Sequence, residues 1–533
     1  MTGHITHDSL PRTDDPGASA LIAALDNPLV FGHPVKYIRL IETHISWVIL
    51  TGDYAYKIKK PVNFGFLDFS TLEKRYFYCQ EELRLNRRFA PEIYLDLIEI
   101  HGSEDAPKLQ GSGEVIEYAI KMLEFPQQCL LSSHAAKDDL SPELIDDIAA
   151  TVSAAHANSD RADQADDFGT ATVAAQWSAE NMDQIRNAIP REFMPDSYFQ
   201  LEYWYQENNA LLANIDARKR EGFVRECHGD LHLGNMALIG GRVTLFDCIE
   251  FNPELRWIDT ISEAAFVAMD LNARGFPGYC WRFLNRYLES SADYAGIKLL
   301  RYYFIYRALV RAKVEALRVD QEACDTETYR AHIKPALDYI ELAGRWSSSH
   351  RAGLVIMHGL SGSGKSTIAA QLVEKLGAIQ IRSDVIRKEL FDFKADDQTG
   401  SALAEGIYSD EATALTYRRM REIAATIISA DFTVIADATF LLESQRKTLL
   451  ELETDPVCSK LIIDCEVPTA ELRKRIVERE KDPSEANLEV LERQLRSQQP
   501  ISEAEKKLAR IVTIGRTGIS TDQVQQVRDL LAN

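Results

Sequence analysis

The chain has 533 residues, of which 45% are hydrophobic and 26% charged, and its formal net charge is −21. That length exceeds what one hydrophobic core serves and points to several domains of an ordinary globular protein. The acidic balance argues against non-specific binding to nucleic acid or to an anionic membrane, both of which need clustered Lys and Arg, while leaving room for a local basic groove. The eight cysteines form no C-x-x-C pair and show no metal-ligand spacing, so they read as buried free thiols. No basic-then-apolar leader opens the sequence and no apolar run reaches the length of a membrane span, so the expected compartment is the cytoplasm.

In chain order, residues 1–20 are polar and carry Pro and Gly, as a loose tail does. Paired strands follow at Ile45–Leu50 and Tyr54–Lys59, joined by Thr51-Gly52-Asp53. Strand alternation puts Lys57 and Lys59 on one face. Ser70-Thr71-Leu72-Glu73 opens a helix that carries Glu81 and Glu82 and is ended by Pro91. Strand-like runs at Tyr94–Ile100 and Val115–Met122 then lead into Leu123-Glu124-Phe125-Pro126. After about residue 139 the texture changes. Ser141-Pro142-Glu143 starts an Ala-rich helical region reaching to about 222, with Trp177, Tyr198, Tyr203, Trp204 and Tyr205 as core aromatics. Strands first and helices after make an α+β unit with two lobes.

Next comes His228-Gly229-Asp230-Leu231-His232-Leu233-Gly234-Asn235, followed by a hairpin of Met236–Ile239 and Val243–Phe246 that ends in Asp247. An Asp to accept a hydroxyl proton, an Asn five residues on and an Asp past a hairpin are what kinase-type phosphoryl transfer needs. Asp230 would orient the nucleophile, Asn235 and Asp247 would hold Mg²⁺, and His232 is a candidate contact for the acceptor. Asp259 and Glu263 read as helix-end and surface charges, with a role behind the site as the alternative. Residues 260–345 are again helical, and the polar joint around 347–352 sets a domain boundary, giving domains at 21–346 and 353–533.

The second domain opens on Gly359-Leu360-Ser361-Gly362-Ser363-Gly364-Lys365-Ser366-Thr367, which fits G-x-x-x-x-G-K-[ST]. The apolar run Leu354–His358 precedes it, and an amphipathic helix closed by Gly377 follows. A strand feeding a glycine-rich turn into a helix N-terminus aims backbone N–H groups at a polyphosphate. Gly359, Ser361, Gly362, Ser363, Gly364 and Thr367 would line that cradle. Lys365 would reach the β- and γ-phosphates, and Ser366 would hold Mg²⁺. Strands at Ala378–Ile381, Thr433–Ala436 and Leu461–Val467 alternate with helices, the pattern of a doubly wound parallel sheet. Asp384 and Asp437 fall at carboxyl ends of strands beside the loop. Asp384 is the preferred base, with a helix N-cap as its bland alternative, and Asp437 suits the metal shell or the positioning of the acceptor. Arg475 and Arg479 share a helix face and could fold over the triphosphate, although a solvated amphipathic helix would look the same. The remainder to Asn533 reads as helical and polar apart from one strand-like run, Ile511–Ile514.

On the residues 228–235 and 245–247 quoted above, the first part resembles the aminoglycoside phosphotransferase-like branch of the protein-kinase fold. The resemblance implies Asp230 as catalytic base, Asn235 and Asp247 as Mg²⁺ ligands, and Lys57 or Lys59 as the nucleotide lysine paired with Glu82 or Glu81. It also implies residues 122–126 as the adenine hinge. Two departures stand out: no G-x-G-x-x-G precedes the lysine strand, and Asp247 is followed by Cys248-Ile249-Glu250 rather than Phe-Gly. The second part is similar to P-loop small-molecule kinases such as gluconate kinase-like enzymes, chloramphenicol phosphotransferase, zeta-toxin-like kinases and the kinase domain of polynucleotide kinase. Its marks are the phosphate loop, Ser383-Asp384-Val385-Ile386-Arg387, Asp437-Ala438-Thr439-Phe440 and Arg475/Arg479 before Asp482-Pro483-Ser484. There the resemblance implies that Asp384 activates the acceptor hydroxyl and that Arg387 holds the acceptor or its phosphate. The whole chain resembles bacterial fusions of the two domain types. The expected activity is a bifunctional ATP- and Mg²⁺-dependent kinase, each half acting on a hydroxyl of a small molecule. The alternatives are a polynucleotide 5′-hydroxyl kinase in the second half, or one half serving as a nucleotide-binding switch.

Overall fold

The structure is a computed structural model that describes residues 16–65, 67–109, 111–319, 326–348, 352–393, 397, 407, 409–454, 457–477, 488–515 and 518–532. Arg479 and the Asp482-Pro483-Ser484 run lie outside the described residues. The chain divides into two compact units, the first built from residues 1–140, 158–170 and 219–263, the second from 141–157, 171–218 and 264–533. Among the described residues, no helix is long and apolar enough to cross a membrane.

The first unit holds a six-stranded antiparallel sheet of β1 (Arg39–Glu42), β2 (Ser46–Leu50), β3 (Tyr54–Lys59), β4 (Tyr94–Ser103), β5 (Ala106–Leu109) and β6 (Val115–Leu123), in the order β1-β2-β3-β6-β4-β5. Trp47, Ile49, Tyr56, Ile58, Ile98, Ile100 and Ala119 alternate onto one face and build a core there with Leu21 and Leu25. Leu21 lies in the helix Pro16–Ala24 and Leu25 directly follows it, and that helix begins inside the stretch read as tail. The edge strand β5 carries Pro107, which an edge tolerates and an interior strand does not, and this had hidden it from sequence reading. Helix Leu72–Asn86 starts where the sequence places it. The Thr71 hydroxyl accepts the Lys74 N–H at 3.3 Å, an N-cap worth about 1 kcal/mol. Its buried residues include Cys79, Glu82, Leu83 and Asn86, so one stripe of an otherwise charged helix faces inward. The unit is completed by two two-stranded ribbons. One pairs β7 (Val224–Glu226) with β10 (Trp257–Asp259), and the other is the hairpin β8 (Met236–Ile239) and β9 (Arg242–Leu245).

The second unit combines helices with a five-stranded parallel sheet of β11 (Gly353–His358), β12 (Ile379–Arg382), β13 (Val434–Asp437), β14 (Ser459–Cys465) and β15 (Arg510–Ile514), ordered β12-β13-β11-β14-β15. The interior residues of β11 are all buried, as a central parallel strand covered on both faces requires. One reading of the helical part needs correction. Tyr203 is 63% exposed rather than in the core, because helix Asp196–Glu207 turns that face to solvent. Tyr198 is fully buried and donates its hydroxyl to the Met182 carbonyl at 2.8 Å, while Trp177, Trp204 and Tyr205 are half-buried.

Candidate active sites

In the first unit, β3 and helix Leu72–Asn86 bring their charges together. Lys57 Nζ donates to Glu82 Oε1 at 2.7 Å and to Asp247 Oδ1 at 2.6 Å. Lys59 Nζ donates to Glu82 Oε2 at 2.6 Å and also to Glu250. Both lysines therefore meet the same carboxylate, because residues two apart on a strand share a face. Glu82, rather than Glu81, is the partner. Glu81 faces outward and pairs with Arg84 at 2.9 Å and Arg256 at 3.5 Å. Burial raises a carboxylic acid's pKa, but Lys57 and Lys59 outweigh it and hold Glu82 at about 2. Burial likewise works against the Lys57 charge, and Asp247 and Glu82 reverse it, so Lys57 stays protonated well past the ordinary range. Glu250, which the sequence offered only as a departure from Phe-Gly, is the fifth member of this cluster.

The loop at 228–235 is fixed from behind. His228 is fully buried, and Nε2 lies 2.8 Å from the Phe246 carbonyl, which can only accept, so that nitrogen carries the proton. Its Nδ1 then accepts the Asp230 N–H at 3.4 Å, and burial pushes the imidazole pKa down, which keeps it neutral. The Glu263 carboxylate accepts the N–H groups of His228 at 3.1 Å and Gly229 at 2.6 Å. Glu263 and Asp259 are each only 2% exposed, so the surface reading of these acids is corrected: Glu263 supports the loop from inside. Gly229 has φ +91°, and a Cβ there would lie 2.8 Å from the Leu255 carbonyl, so no larger residue fits.

Asp230 and Asn235 meet on the open side of this loop. Asn235 Nδ2 donates to the Asp230 carbonyl at 2.9 Å and to Asp230 Oδ2 at 3.2 Å, which directs its Oδ1 as an acceptor. His232 Nδ1 accepts the Gly234 N–H at 3.0 Å, and its Nε2 lies 3.6 Å from Asp230 Oδ2. Asp247, just past the hairpin, has φ +64°, a left-handed conformation that non-glycine residues adopt at a cost. Its N–H donates to Tyr94 Oη at 3.0 Å, and its side chain is 46% exposed. The loop thus presents a carboxylate beside an amide oxygen, and the residue after the hairpin presents a second carboxylate held by a lysine. Hard oxygen donors of this kind suit Mg²⁺. The turn between β1 and β2 is only Thr43-His44-Ile45, so no glycine loop stands there. Residues 122–126 run at the end of β6, where Glu124 Oε2 accepts the N–H groups of Thr51 at 3.1 Å and Gly52 at 2.8 Å.

In the second unit, β11 hands the chain to Gly359 at φ +140°, where a Cβ would lie 2.8 Å from the Cys465 carbonyl. The loop closes into helix Lys365–Leu376. Lys365 is buried with Nζ on the Leu360 carbonyl at 2.8 Å, Ser366 is half-buried and Thr367 is exposed. Two helices cover the loop. Ile476 of helix Thr469–Val477 would touch a Cβ on Gly362 at 3.2 Å, and Arg475 Nη1 would lie 3.9 Å from one on Gly364. Arg475 Nε also pairs with Glu471 at 3.0 Å. Gln494 of helix Leu488–Ser497 accepts the Ser361 N–H and donates to Ser361 Oγ, each at 2.9 Å. Ser363 is buried beside Gly359, 3.0 Å from where its Cβ would stand.

β13 ends at Asp437 beside β11 and β12, paired in register with Met357 and Arg382. Its Oδ2 accepts from Gln380 Nε2 at 2.9 Å, and the Gly359 N–H donates to the Thr439 carbonyl at 3.1 Å, which binds the loop to the residues after β13. Asp384 is half-buried at the second position of helix Ser383–Glu389, whose cap is Arg382, so the capping alternative does not apply. Arg387 is buried and donates to the Ile407 carbonyl at 2.8 Å and Thr413 Oγ1 at 3.2 Å. Burial pushes Tyr417 up to about 12, in a field that includes Arg387 and Asp384. Gln380 and Gln494 carried no signal in the sequence, since a glutamine acquires a role only through what folds against it.

Two family models match the chain. The phosphotransferase enzyme family model covers residues 79–300 and an AAA domain model covers 354–501. An uncharacterized protein of Mycobacterium tuberculosis (strain ATCC 25618 / H37Rv) is 30% identical over 466 residues, which is 86% of this chain and 90% of that one. Among solved structures, an amicoumacin kinase in complex with AMP-PNP, Ca²⁺ and Ami is similar at 11% identity and TM-score 0.41, over 62% of this chain and 94% of that one. A sugar kinase from Janibacter sp. HTCC2649 is similar at 19% identity and TM-score 0.27, over 34% and 94%.

Proposed function

For a chain that belongs to the family of that mycobacterial protein, in which a kinase-fold phosphotransferase domain precedes a P-loop kinase domain, we propose a bifunctional ATP-dependent kinase, each half transferring a phosphoryl group to a hydroxyl of a small molecule. The domains are taken as 21–346 and 353–533. In the first, Asp230 accepts the proton of the acceptor hydroxyl, His232 touches the acceptor, Lys57 binds the nucleotide phosphates, and Lys59 and Glu82 keep Lys57 in place. In the second, Lys365 and the loop N–H groups bind the triphosphate, Asp384 takes the proton, Arg387 holds the acceptor, and Arg475 and Arg479 neutralise developing charge. Mg²⁺, held by Asn235 and Asp247 in one site and by Ser366 and Asp437 in the other, supplies charge neutralisation along the phosphates. The observation that carries this reading is the buried cluster Lys57–Glu82–Lys59 with Asp247 pinned against it, since ionisable groups so strongly perturbed by burial and by one another cluster at functional sites. The described cysteines are free thiols, in keeping with the reducing cytoplasm expected.

A polynucleotide 5′-hydroxyl kinase in the second half is the weaker reading. Arg382, Arg387 and Lys388, the basic residues around Asp384, are 8%, 7% and 2% exposed and so form no groove for a phosphate backbone. The test incubates the full chain, Lys365→Ala and Asp230→Asn with γ-labelled ATP and fractionated bacterial metabolites. Each variant is expected to lose a different labelled product. A variant that loses none refutes catalysis in that half and leaves it as a nucleotide-binding switch.

A further inference from the structure

Helix Pro277–Ser291 lies within the stretch matched by the phosphotransferase family model, yet its polar side chains are directed at the phosphate-loop sheet. Asn285 Oδ1 accepts the Gln380 N–H at 2.6 Å, and its Nδ2 donates to the Ala378 carbonyl at 2.9 Å. β12 is an edge strand, and this one amide makes two of the outer hydrogen bonds that a neighbouring strand would otherwise make. One turn further on, Glu289 Oε1 lies 3.6 Å from Arg382 Nη1, while its Oε2 accepts from Arg286 at 2.6 Å. Arg382 Nε is in turn 3.8 Å from Asp437 Oδ2, the oxygen that Gln380 holds at 2.9 Å. Asn285, Gln380, Arg382 and Asp437 are all buried. Arg282 locks the same helix between Asp146, at 2.7 Å, and Glu374 of the phosphate-loop helix, at 3.2 Å.

We propose that Asn285 and Glu289 are positioning residues for Asp437, which makes helix Pro277–Ser291 a working part of the phosphate-loop site. The inference rests on the reading of Asp437 as a magnesium ligand. Gln380 and Arg382 are two apart on β12 and share a face, so Asn285, by fixing that strand, fixes both against Asp437. Arg382 stands between the buried carboxylate of Asp437 and the part-buried one of Glu289. Were Glu289 neutral, one carboxylate balancing the guanidinium would be gone, and its pull on Asp437 would compete more strongly with a divalent cation for that oxygen. Glu289 draws that charge off, and the neutral Gln380 amide orients the carboxylate without competing for it. A contact whose only task was adhesion would be served as well by apolar residues of the same volume.

The test uses the full chain carrying Asp230→Asn and reads two things: Mg²⁺ binding by titration calorimetry without nucleotide, and the Mg²⁺ dependence of slow phosphate release from ATP, in which water takes the place of the acceptor hydroxyl. Added Glu289→Gln is expected to raise the Mg²⁺ concentration for half-maximal rate about 5- to 10-fold, with the KM for ATP at saturating Mg²⁺ changed less than about 2-fold. Glu289→Asp should restore part of the loss. In an Arg382→Gln background the Glu289→Gln effect should vanish, because the competing charge is gone, a coupling that a merely structural role would not produce. An unchanged Mg²⁺ requirement in Glu289→Gln, or an effect that persists without Arg382, overturns the inference alone. Release that survives Lys365→Ala overturns the kinase reading of this half and the inference with it.

Discussion

Replacing Glu82 by Gln tests the charge cluster at its centre. Glu82 is 0% exposed and receives one hydrogen bond from each of two lysines. Its drop from an ordinary 4.5 to about 2 corresponds to about 3 kcal/mol of stability at neutral pH. The folded pKa lies below the unfolded one, so this contribution is complete above about pH 5 and is lost as the pH falls through 4.5 toward 2. Glu82→Gln should therefore unfold the first unit more easily by about 3 kcal/mol at pH 7, within the ~3–5 kcal/mol seen when one partner of a buried ion pair is removed. At pH 3.5 the deficit should shrink to about 2 kcal/mol, because part of the wild-type advantage has already been titrated away. Urea unfolding followed by pulse-labelled hydrogen exchange of the peptide covering β3 reads this unit separately from the rest. A deficit under about 1 kcal/mol at pH 7, or one that does not shrink at acid pH, refutes the electrostatic account of Lys57 and Lys59.

Gly359→Ala puts a Cβ 2.8 Å from the Cys465 carbonyl at a φ of +140°. It is expected to cost at least about 1–3 kcal/mol and to abolish binding of a fluorescent ATP analogue at this loop, as thermal unfolding and titration in a Lys57→Ala background, which removes the first half's phosphate lysine, would record. The Arg446–Glu505 pair is fully buried at 2.6 Å, with Arg446 also donating to the Phe440 carbonyl at 2.9 Å. Glu505→Gln should lower stability by about 3 kcal/mol or more in thermal unfolding, because it strands a buried guanidinium, and nucleotide affinity at either site should stay as it was until the fold is lost.

The sequence alone determined the two phosphate-handling motifs and the local elements that carry them. Glycines at the turn of 359–364, the alternation of Lys57 and Lys59 and the spacing of Asp230, Asn235 and Asp247 are properties of neighbouring residues, and local geometry follows from neighbours. The parallel sheet was legible for the same reason, as apolar runs alternating with helices leave few other arrangements. Tertiary structure alone decided which charges meet. That Glu82 rather than Glu81 takes both lysines depends on how helix Leu72–Asn86 is rotated against β3. That Glu263 supports the His228 loop from within depends on a contact 35 residues apart in the chain. That Asn285 and Glu289 reach β12 depends on the packing of a helix about 90 residues away from it in the chain. A buried carboxylate and a solvated one look identical in a sequence, and only the elements folded around them determine which cation each will hold.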